Sequence, residues 1–290
     1  MHAGHKAYTG RTPPGVVEGY IRRSHLQPVI CIEMLYPGLS PVEKIENIAR
    51  AGFSKVEFWG WGDKDIPAIA KACQQNEVRV VNFSGHRKGS LVAAETHELF
   101  LADLKEAVEV ADTLNCSTLM VLSNELGEKG RVLDSYSDIT SDKKYLNLKS
   151  GLEKALAAAP EEITLVLEPL NTRIDHPGYF LADIETAVSL VREINNPRLK
   201  ILCDLYHLGV MGQDLKSLLT YYIEDIGYIH IADFPGRHEP GTGSADWATL
   251  LTIIKNCGYR GFVGFEYSPL NDSDESLRKI RSRWQRIFND

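Results

Sequence analysis

Four polar residues stand at or near the ends of four apolar segments in the second half of the chain. They are Glu168 in ITLVLE, Asp204 in KILCD, His230 in YIHIAD and Glu266 in FVGFEY. Successive members lie about 26 to 36 residues apart, close to the length of one strand–helix–strand unit of ~30 residues or more. A carboxylate at the end of a buried strand is costly unless a partner compensates its charge.

These four side chains form a plausible ligand set for a metal ion. Three carboxylates and one imidazole that converge in a half-buried place repel one another unless a cation joins them. An oxygen-rich set with one nitrogen and open coordination positions suits Mn²⁺, Mg²⁺, Co²⁺ or Zn²⁺. At any single position the alternative is a salt-bridged glutamate or a histidine satisfied in the core. The matching phase of four segments favours one divalent metal ion held by Glu168, Asp204, His230 and Glu266.

The segments that carry these residues belong to a regular alternation of strands and helices. Apolar, β-branched runs alternate with polar turns and segments of helical periodicity, at 29–33, 55–59, 78–83, 117–123, 163–168, 200–204, 228–233 and 262–267. Eight such units predict an α/β fold, a single (β/α)₈ TIM barrel over residues 29–290. A doubly wound sheet is the alternative, but no GxGxxG turn follows the first run. Active sites of such barrels lie where the strands end, so the four residues should meet at one mouth.

Two regions depart from this rhythm. Residues 1–28 precede the first strand and are predicted to be a short N-terminal extension, which caps the N-terminal face of the barrel, packs on a second subunit or is partly disordered. Residues 124–145 form a long polar connection after the fourth strand. A long loop on the active face is either a lid or a solvated connection.

Composition bounds the compartment and the partners. The chain has 290 residues and a net charge of −7, with no Lys/Arg-rich run, which argues against a nucleic-acid partner. The five cysteines are scattered without a CxxC spacing, as is typical of free thiols in a reducing compartment. No apolar run approaches the ~20 residues of a membrane helix, and the N-terminus lacks the apolar core of a signal peptide. We expect a cytoplasmic protein without a membrane anchor.

Longer stretches around the four residues resemble a known family. The stretches are EPLNTRIDHPGYFL (168–181), CDLYHL (203–208), IGYIHIADFPGRHEPGTG (226–243) and GFVGFEYSP (261–269). Through them the chain resembles, from about residue 29 to 288, the xylose isomerase-like (AP endonuclease family 2) TIM barrels. Within these it is most similar to the hydroxypyruvate isomerases, 2-oxo-tetronate isomerases and ketose 3-epimerases.

The resemblance implies a metal-dependent isomerase or epimerase of a small sugar or keto acid. It maps the family's metal ligands onto the same four residues. His230 stands where hydroxypyruvate isomerases commonly carry Gln and ketose epimerases carry His, so the branch of the family stays open. Many barrels of this family form dimers or tetramers, so the resemblance implies a homo-oligomer, a dimer or a tetramer.

The chemistry that fits these residues is proton transfer between adjacent carbons through a cis-enediolate. Removing a proton beside a carbonyl needs a base within ~3 Å and an electrophile on the developing oxyanion, and a metal ion can be that electrophile. We predict that Glu168 and Glu266 are the catalytic proton-transfer pair. Asp204 and His230 are then purely structural ligands.

Two residues after the strand ends are predicted to bind the substrate. The resemblance makes His207 a contact for a substrate oxygen, the alternative being a loop histidine at a helix start. Arg237 follows the seventh strand, and its guanidinium can hold a substrate carboxylate or hydroxyl in a fixed fork. The alternative for Arg237 is an ion pair with Glu239 or another acidic loop residue.

Three residues after earlier strands are weaker substrate-binding candidates. Glu57 and Trp59 end the second strand, where an aromatic ring can stack on a sugar or simply belong to the rim. His86 follows the third strand and either contacts a substrate hydroxyl or caps its loop. Asp233, which ends the seventh strand, is either a partner of a metal ligand or the cap of the next turn.

The same residues are compatible with other functions. A ketose 3-epimerase or a dehydratase of the inosose or dehydroshikimate type would use the same first step. A non-catalytic sugar-binding barrel would bind carbohydrate without turnover. An AP endonuclease would need further His and acidic ligands for several zinc ions and basic DNA contacts, which an acidic chain does not favour.

Overall fold

Eight short apolar runs form the strands of one parallel sheet in the computed structural model, which describes residues 26–288. Each strand pairs with the next, and β1 pairs with β8, so that the sheet closes into a barrel. The strands are β1 Gln27–Cys31, β2 Lys55–Glu57, β3 Arg79–Ser84, β4 Thr118–Val121, β5 Thr164–Leu167, β6 Leu199–Asp204, β7 Ile226–Ile231 and β8 Phe262–Phe265. The predicted TIM barrel is confirmed. The predicted extension lies outside the described residues up to residue 25, and β1 begins at Gln27.

Helices cover the outside of the barrel. Within residues 26–288 they are α1 Pro41–Arg50, α2 Ile66–Gln75, α3 His97–Leu114, α4 Ser141–Ala158, α5 Ile184–Ile194, α6 Leu205–Val210, α7 Leu215–Tyr222, α8 Trp247–Asn256 and α9 Ser273–Phe288. Helix α1 begins as its sequence predicts, because Ser40 and Glu43 form a capping box around Pro41. In this part of the chain no helix combines the length and the apolar character needed to cross a bilayer.

The strand register places the predicted ligands in one phase. Asp204 is level with His230, and His230 is level with Gly264, two residues before Glu266. Because side chains alternate between the two faces of a strand, Glu266 shares the inward face with Gly264. The barrel interior beneath the mouth is filled by large side chains such as Tyr228, which is fully buried. The four predicted metal ligands therefore lie at the top of a packed core.

His86 joins the ends of β3 and β4. Its Nε2 accepts a hydrogen bond from the backbone N–H of Leu122 at 3.0 Å, so the neutral ring carries its proton on Nδ1. That nitrogen lies 3.4 Å from the carbonyl oxygen of Lys88, and the ring packs against Phe100 with centroids 4.5 Å apart. Burial lowers the pKa of His86 to about 4. Both nitrogens thus contact the backbone, as expected for the loop-capping alternative.

His86 should make the stability of the fold pH-dependent. In the unfolded chain the imidazole takes up a proton near its ordinary pKa of ~6.5, whereas the folded ring does so only near pH 4. The unfolded state therefore binds more protons between these values, and stability is lost as pH falls. From pH 7 to pH 5 we expect His86 alone to remove about 2 kcal/mol of the free energy of unfolding. Urea unfolding of the wild type and His86→Gln at both pH values measures this, and an equal pH dependence in the two proteins would contradict it.

Candidate metal centre

The four predicted ligands converge at the carboxyl ends of β5 to β8. Each offers one ligand atom, and these atoms lie within 4.8 Å of one another with all four side chains buried. His230 Nδ1 is central to the group. It lies 3.2 Å from Glu266 Oε2, 3.7 Å from Glu168 Oε1 and 4.0 Å from Asp204 Oδ2. The structure thus brings together side chains that are up to 98 residues apart in the sequence.

These residues fit a divalent metal ion. Asp204 Oδ2 and His230 Nδ1 are both buried and have no hydrogen-bond partner, which is costly unless a further group satisfies them. Oxygen and nitrogen ligands lie ~2.0–2.2 Å from such ions, so opposite ligands are at most about 4.4 Å apart. The observed spacing therefore needs only small shifts to enclose one ion.

The local electrostatics reflect this crowding of negative charge. Burial raises the pKa of Glu168 to about 7, and the nearby Glu266 carboxylate adds to the shift while His230 opposes it. Burial likewise raises the pKa of Asp204 to about 6, against the opposing charge of Arg237. Burial also acts on Glu266, but Arg237 and His230 outweigh it and hold the pKa of Glu266 well below its usual range. The cluster therefore strongly favours an added positive charge.

Asp204 uses its two oxygens for different purposes. It ends β6 and is the N-cap of α6, where Oδ1 accepts hydrogen bonds from the backbone N–H groups of Tyr206 at 2.8 Å and His207 at 3.4 Å. This local cap fixes the carboxylate, so that Oδ2 remains directed at the centre. The same cap places His207 beside it, with Nε2 3.5 Å from Oδ2.

His207 is held in one tautomer by Asn171. Its Nδ1 lies 3.3 Å from the backbone N–H of Asn171 and 2.7 Å from the side-chain amide nitrogen. Because the backbone N–H can only donate, Nδ1 is the acceptor and the ring proton lies on Nε2. Burial, assisted by the charge of Arg237, lowers the pKa of His207 well below its usual range. The residue therefore presents a neutral Nε2–H donor to the site.

Arg237 and Trp59, which were both predicted to bind the substrate, donate hydrogen bonds to Glu266. Arg237 Nη2 lies 2.6 Å from Glu266 Oε2 and 3.7 Å from Asp204 Oδ2. The indole N–H of Trp59, whose side chain is 42% exposed, donates to Glu266 Oε1. Glu239, the alternative ion-pair partner predicted for Arg237, instead accepts a hydrogen bond from the backbone N–H of Leu270. Arg237 is thus part of the charge balance of the centre as well as of its wall.

Glu57 lies in a different place from the predicted substrate contact. Its side chain is 2% exposed, does not line the cavity above the centre, and lies 3.0 Å from His230 Nε2 through Oε2. Asn82 Nδ2 donates to the same oxygen at 3.2 Å. The reason is the phase of β2, since Glu57 is level with the inward-facing Asn82 and therefore points into the barrel.

Asp233 shapes the loop that carries Arg237. Its carboxylate is fully buried and accepts backbone hydrogen bonds from Phe234, Gly241, Thr242 and Ala245. Of its two predicted roles, the structure shows the cap of the turn.

A cavity of about 420 Å³ opens above the centre. The predicted residues that line it are Trp59, His86, Glu168, His207, Arg237 and Glu266. The long connection after β4 contributes Leu126, Gly127, Lys129 and Gly130 to the wall of this cavity.

Part of the cavity wall is formed by residues that the sequence pattern did not predict. Asp175, His176 and Lys129 line it as well. His176 donates through Nδ1 to the carbonyl of Gly130 at 2.7 Å, which fixes the loop after β4 against the loop after β5. Asp175 and His176 could have been predicted as cavity residues because they follow Glu168 closely in the sequence. Nothing in the local pattern marked Lys129.

Comparison with known proteins places this architecture in a family. The family described as xylose isomerase-like TIM barrel matches residues 45–283. A hydroxypyruvate isomerase from Escherichia coli is 27% identical over 85% of this chain and 95% of its own length. A 2-oxo-tetronate isomerase from Pectobacterium atrosepticum is 26% identical over 85% of this chain and 93% of its own length.

A solved structure agrees with the sequence matches. The crystal structure of an AP endonuclease, family 2, from Brucella melitensis superposes with a TM-score of 0.80 at 28% identity, covering 89% of this chain and 98% of that chain. The resemblance inferred from the strand-end motifs is thereby confirmed. The chain belongs to the xylose isomerase-like TIM barrel family.

Proposed function

We propose that this protein is a divalent-metal-dependent isomerase of a small hydroxy-keto acid or sugar, which transfers a proton between adjacent carbons through a cis-enediolate. The observation that carries the proposal is the convergence of three buried carboxylates and the unpartnered Nδ1 of His230 below a cavity. The isomerase names of the two sequence relatives support the same class of reaction.

Four residues would hold the metal ion, namely Glu168, Asp204, His230 and Glu266. When bound, the ion supplies Lewis-acid stabilisation of the negative charge that develops on the substrate oxygens. His207 would act beside it, because its neutral Nε2–H is directed at the site and can donate to an oxygen as that oxygen gains charge. A fixed donor of this kind stabilises the transition state more than the ground state.

Glu168 and Glu266 would move the proton. A carboxylate removes the proton from the hydroxyl-bearing carbon, and the electron pair left behind forms the C=C bond of the enediolate while the carbonyl oxygen gains the charge. The proton then returns to the former carbonyl carbon, and the hydroxyl proton passes to the other oxygen. Glu266 is oriented by Trp59 and Arg237, whereas Glu168 has the freer carboxylate. We therefore assign the first proton removal to Glu168.

The cavity would select a small polar substrate. Met120, Leu122 and Leu170 form an apolar wall, which excludes water from the reacting carbons. Arg237 lies over the ring of Tyr206 at 5.0 Å and can offer its guanidinium to a carboxylate or hydroxyl group. Trp59 at the rim can cover the C–H face of the substrate.

A ketose 3-epimerase is a second candidate for the same site. Glu168 and Glu266 follow β5 and β8, the outer strands of the ligand arc, and so lie on different sides of the centre. Two carboxylates placed in this way can remove a proton from one face of a carbon and return it to the other. Two alternative functions stay predictions, namely dehydration and sugar binding without turnover. The cytoplasmic location and the homo-oligomer stay predictions as well.

A nuclease is disfavoured by the ligand inventory. Within residues 26–288, Glu168, Asp204, His230 and Glu266 form the one group of three or more His, Cys, Asp or Glu side chains with metal-binding geometry. A site for several zinc ions needs more ligands than this cluster holds. The net charge of −7 also opposes binding to the phosphate backbone.

Metal removal should abolish proton exchange. After EDTA treatment, we expect no deuterium incorporation in D₂O, and full recovery when Mn²⁺ is added back. The substrates would be hydroxypyruvate, tartronate semialdehyde, 2-oxo-tetronates and C4 to C6 ketoses, with NMR detection of the labelled carbon. Label next to a carbonyl identifies the enediolate chemistry and the substrate. Loss of water detected by mass spectrometry would indicate a dehydratase, and binding without any exchange would contradict the proposal.

Replacing one proton-transfer carboxylate should stop turnover without unfolding the protein. In Glu266→Gln the amide keeps the hydrogen bond from Trp59 but cannot accept a proton, so we expect kcat to fall about 10²–10⁴-fold. Glu239→Gln is the matched control, because Glu239 is also buried, at 1% exposed, but lies outside the cavity wall. Its turnover should stay near that of the wild type, while thermal unfolding by circular dichroism reports the fold of both variants. Turnover in Glu266→Gln equal to that of the control would refute the assignment.

A further inference from the structure

We infer that Glu57 is a positioning residue of the metal centre, which holds His230 in the tautomer and orientation that direct Nδ1 at the other three ligands. The role is exerted on a metal ligand and so rests on the proposed function. This role differs from the substrate contact predicted from the sequence. Glu57 does not line the cavity, and His230 is the one member of the ligand set to which it is hydrogen-bonded among the described residues.

The contact between Glu57 and His230 is a buried one. Glu57 Oε2 and His230 Nε2 are 3.0 Å apart, and the two side chains are 2% and 4% exposed. A carboxylate accepts hydrogen bonds only, so the ring must carry a proton on Nε2. The neutral form of this ring, which is the form that can ligate a metal ion, then has its lone pair on Nδ1, the atom that lies between Glu168, Asp204 and Glu266.

Among residues 26–288, His230 is the one ion-pair partner of Glu57. In the same part of the chain, its hydrogen-bond partners are His230 and the uncharged amide of Asn82, and its second oxygen Oε1 has none. Burial and the nearby charge of Glu57 raise the pKa of the Tyr228 hydroxyl well above its usual range, so this hydroxyl is an uncharged neighbour of Glu57. A buried carboxylate without a lysine or arginine is expensive, so its retention is best explained by its action on the imidazole.

Gly264 provides the room for this contact. Strands β8 and β1 lie between β7, which carries His230, and β2, which ends at Glu57. A Cβ at Gly264 would lie 2.3 Å from Glu57 Oε1 and 2.7 Å from His230 Cδ2. The absence of a side chain at this level of β8 therefore allows Glu57 to reach the histidine across the barrel. The glycine is needed here for space.

The test measures metal affinity and does not depend on turnover. Mn²⁺ would be titrated calorimetrically into the EDTA-treated full-length wild type, Glu57→Gln and Gly264→Ala. Loss of the partner of a ligating histidine typically weakens metal binding ~10–100-fold, and we expect a loss in this range for both variants. Glu239→Gln is the matched control, because it makes the same change at another buried glutamate, which lies outside both the cavity wall and the ligand set. Its affinity should equal that of the wild type.

A wild-type affinity in Glu57→Gln would overturn the inference, and so would an equal loss of affinity in Glu239→Gln. A wild type that binds no Mn²⁺ would instead refute the metal centre of the proposed function itself.

A measurement on the unaltered protein covers the case in which the variants fail to fold. In ¹⁵N-histidine-labelled wild type loaded with diamagnetic Zn²⁺, His230 should show a protonated Nε2 and a metal-shifted Nδ1. The reverse pattern would overturn the assignment of Glu57.

Discussion

The repulsion between buried carboxylates at the mouth of the barrel is the constraint on which the rest of the site depends. Glu168, Asp204 and Glu266 are all buried around one imidazole nitrogen. Such an arrangement survives only where opposing charge is close and the backbone that carries the carboxylates is rigid. Eight paired strands supply the rigidity, while His230 and Arg237 supply part of the charge. The remainder is what a divalent cation would add.

Hydrogen bonds made just after the strand ends fix the orientation of the side chains in this charged cluster. Asp204 ends β6 and is also the N-cap of α6. One of its carboxylate oxygens therefore accepts hydrogen bonds from the backbone, while the other has no hydrogen-bond partner and is available to a metal ion. Asn171 does the same for His207 by occupying one ring nitrogen. In each case a local hydrogen bond removes a degree of freedom from a chemical group. Pre-organisation of this kind lets a site stabilise charge without reorganising during the reaction.

Members of one barrel family can share a ligand set and still differ in substrate and product, because the fold alone does not determine the reaction. The variable part is the cavity wall. In this chain it combines the loop after β4, which contributes Lys129, with the loop after β5, which contributes His176, and the two are joined through Gly130. Under the proposed function, substrate choice within the isomerase class would depend on these loops, whereas the direction of proton transfer would depend on Glu168 and Glu266.

The sequence alone determined the barrel and its four convergent residues, because both follow from local patterns. Strand and helix periodicity is readable within a few residues, and parallel strands of a closed barrel must bring their carboxyl ends together. Contacts between distant strands could not be read in this way. Glu57 and His230 are 173 residues apart, and their contact depends on the register of β2 and on the missing side chain at Gly264. The pairing of Arg237 with Glu266 and the place of Lys129 in the wall likewise depend on loop conformation, which only the tertiary structure decides.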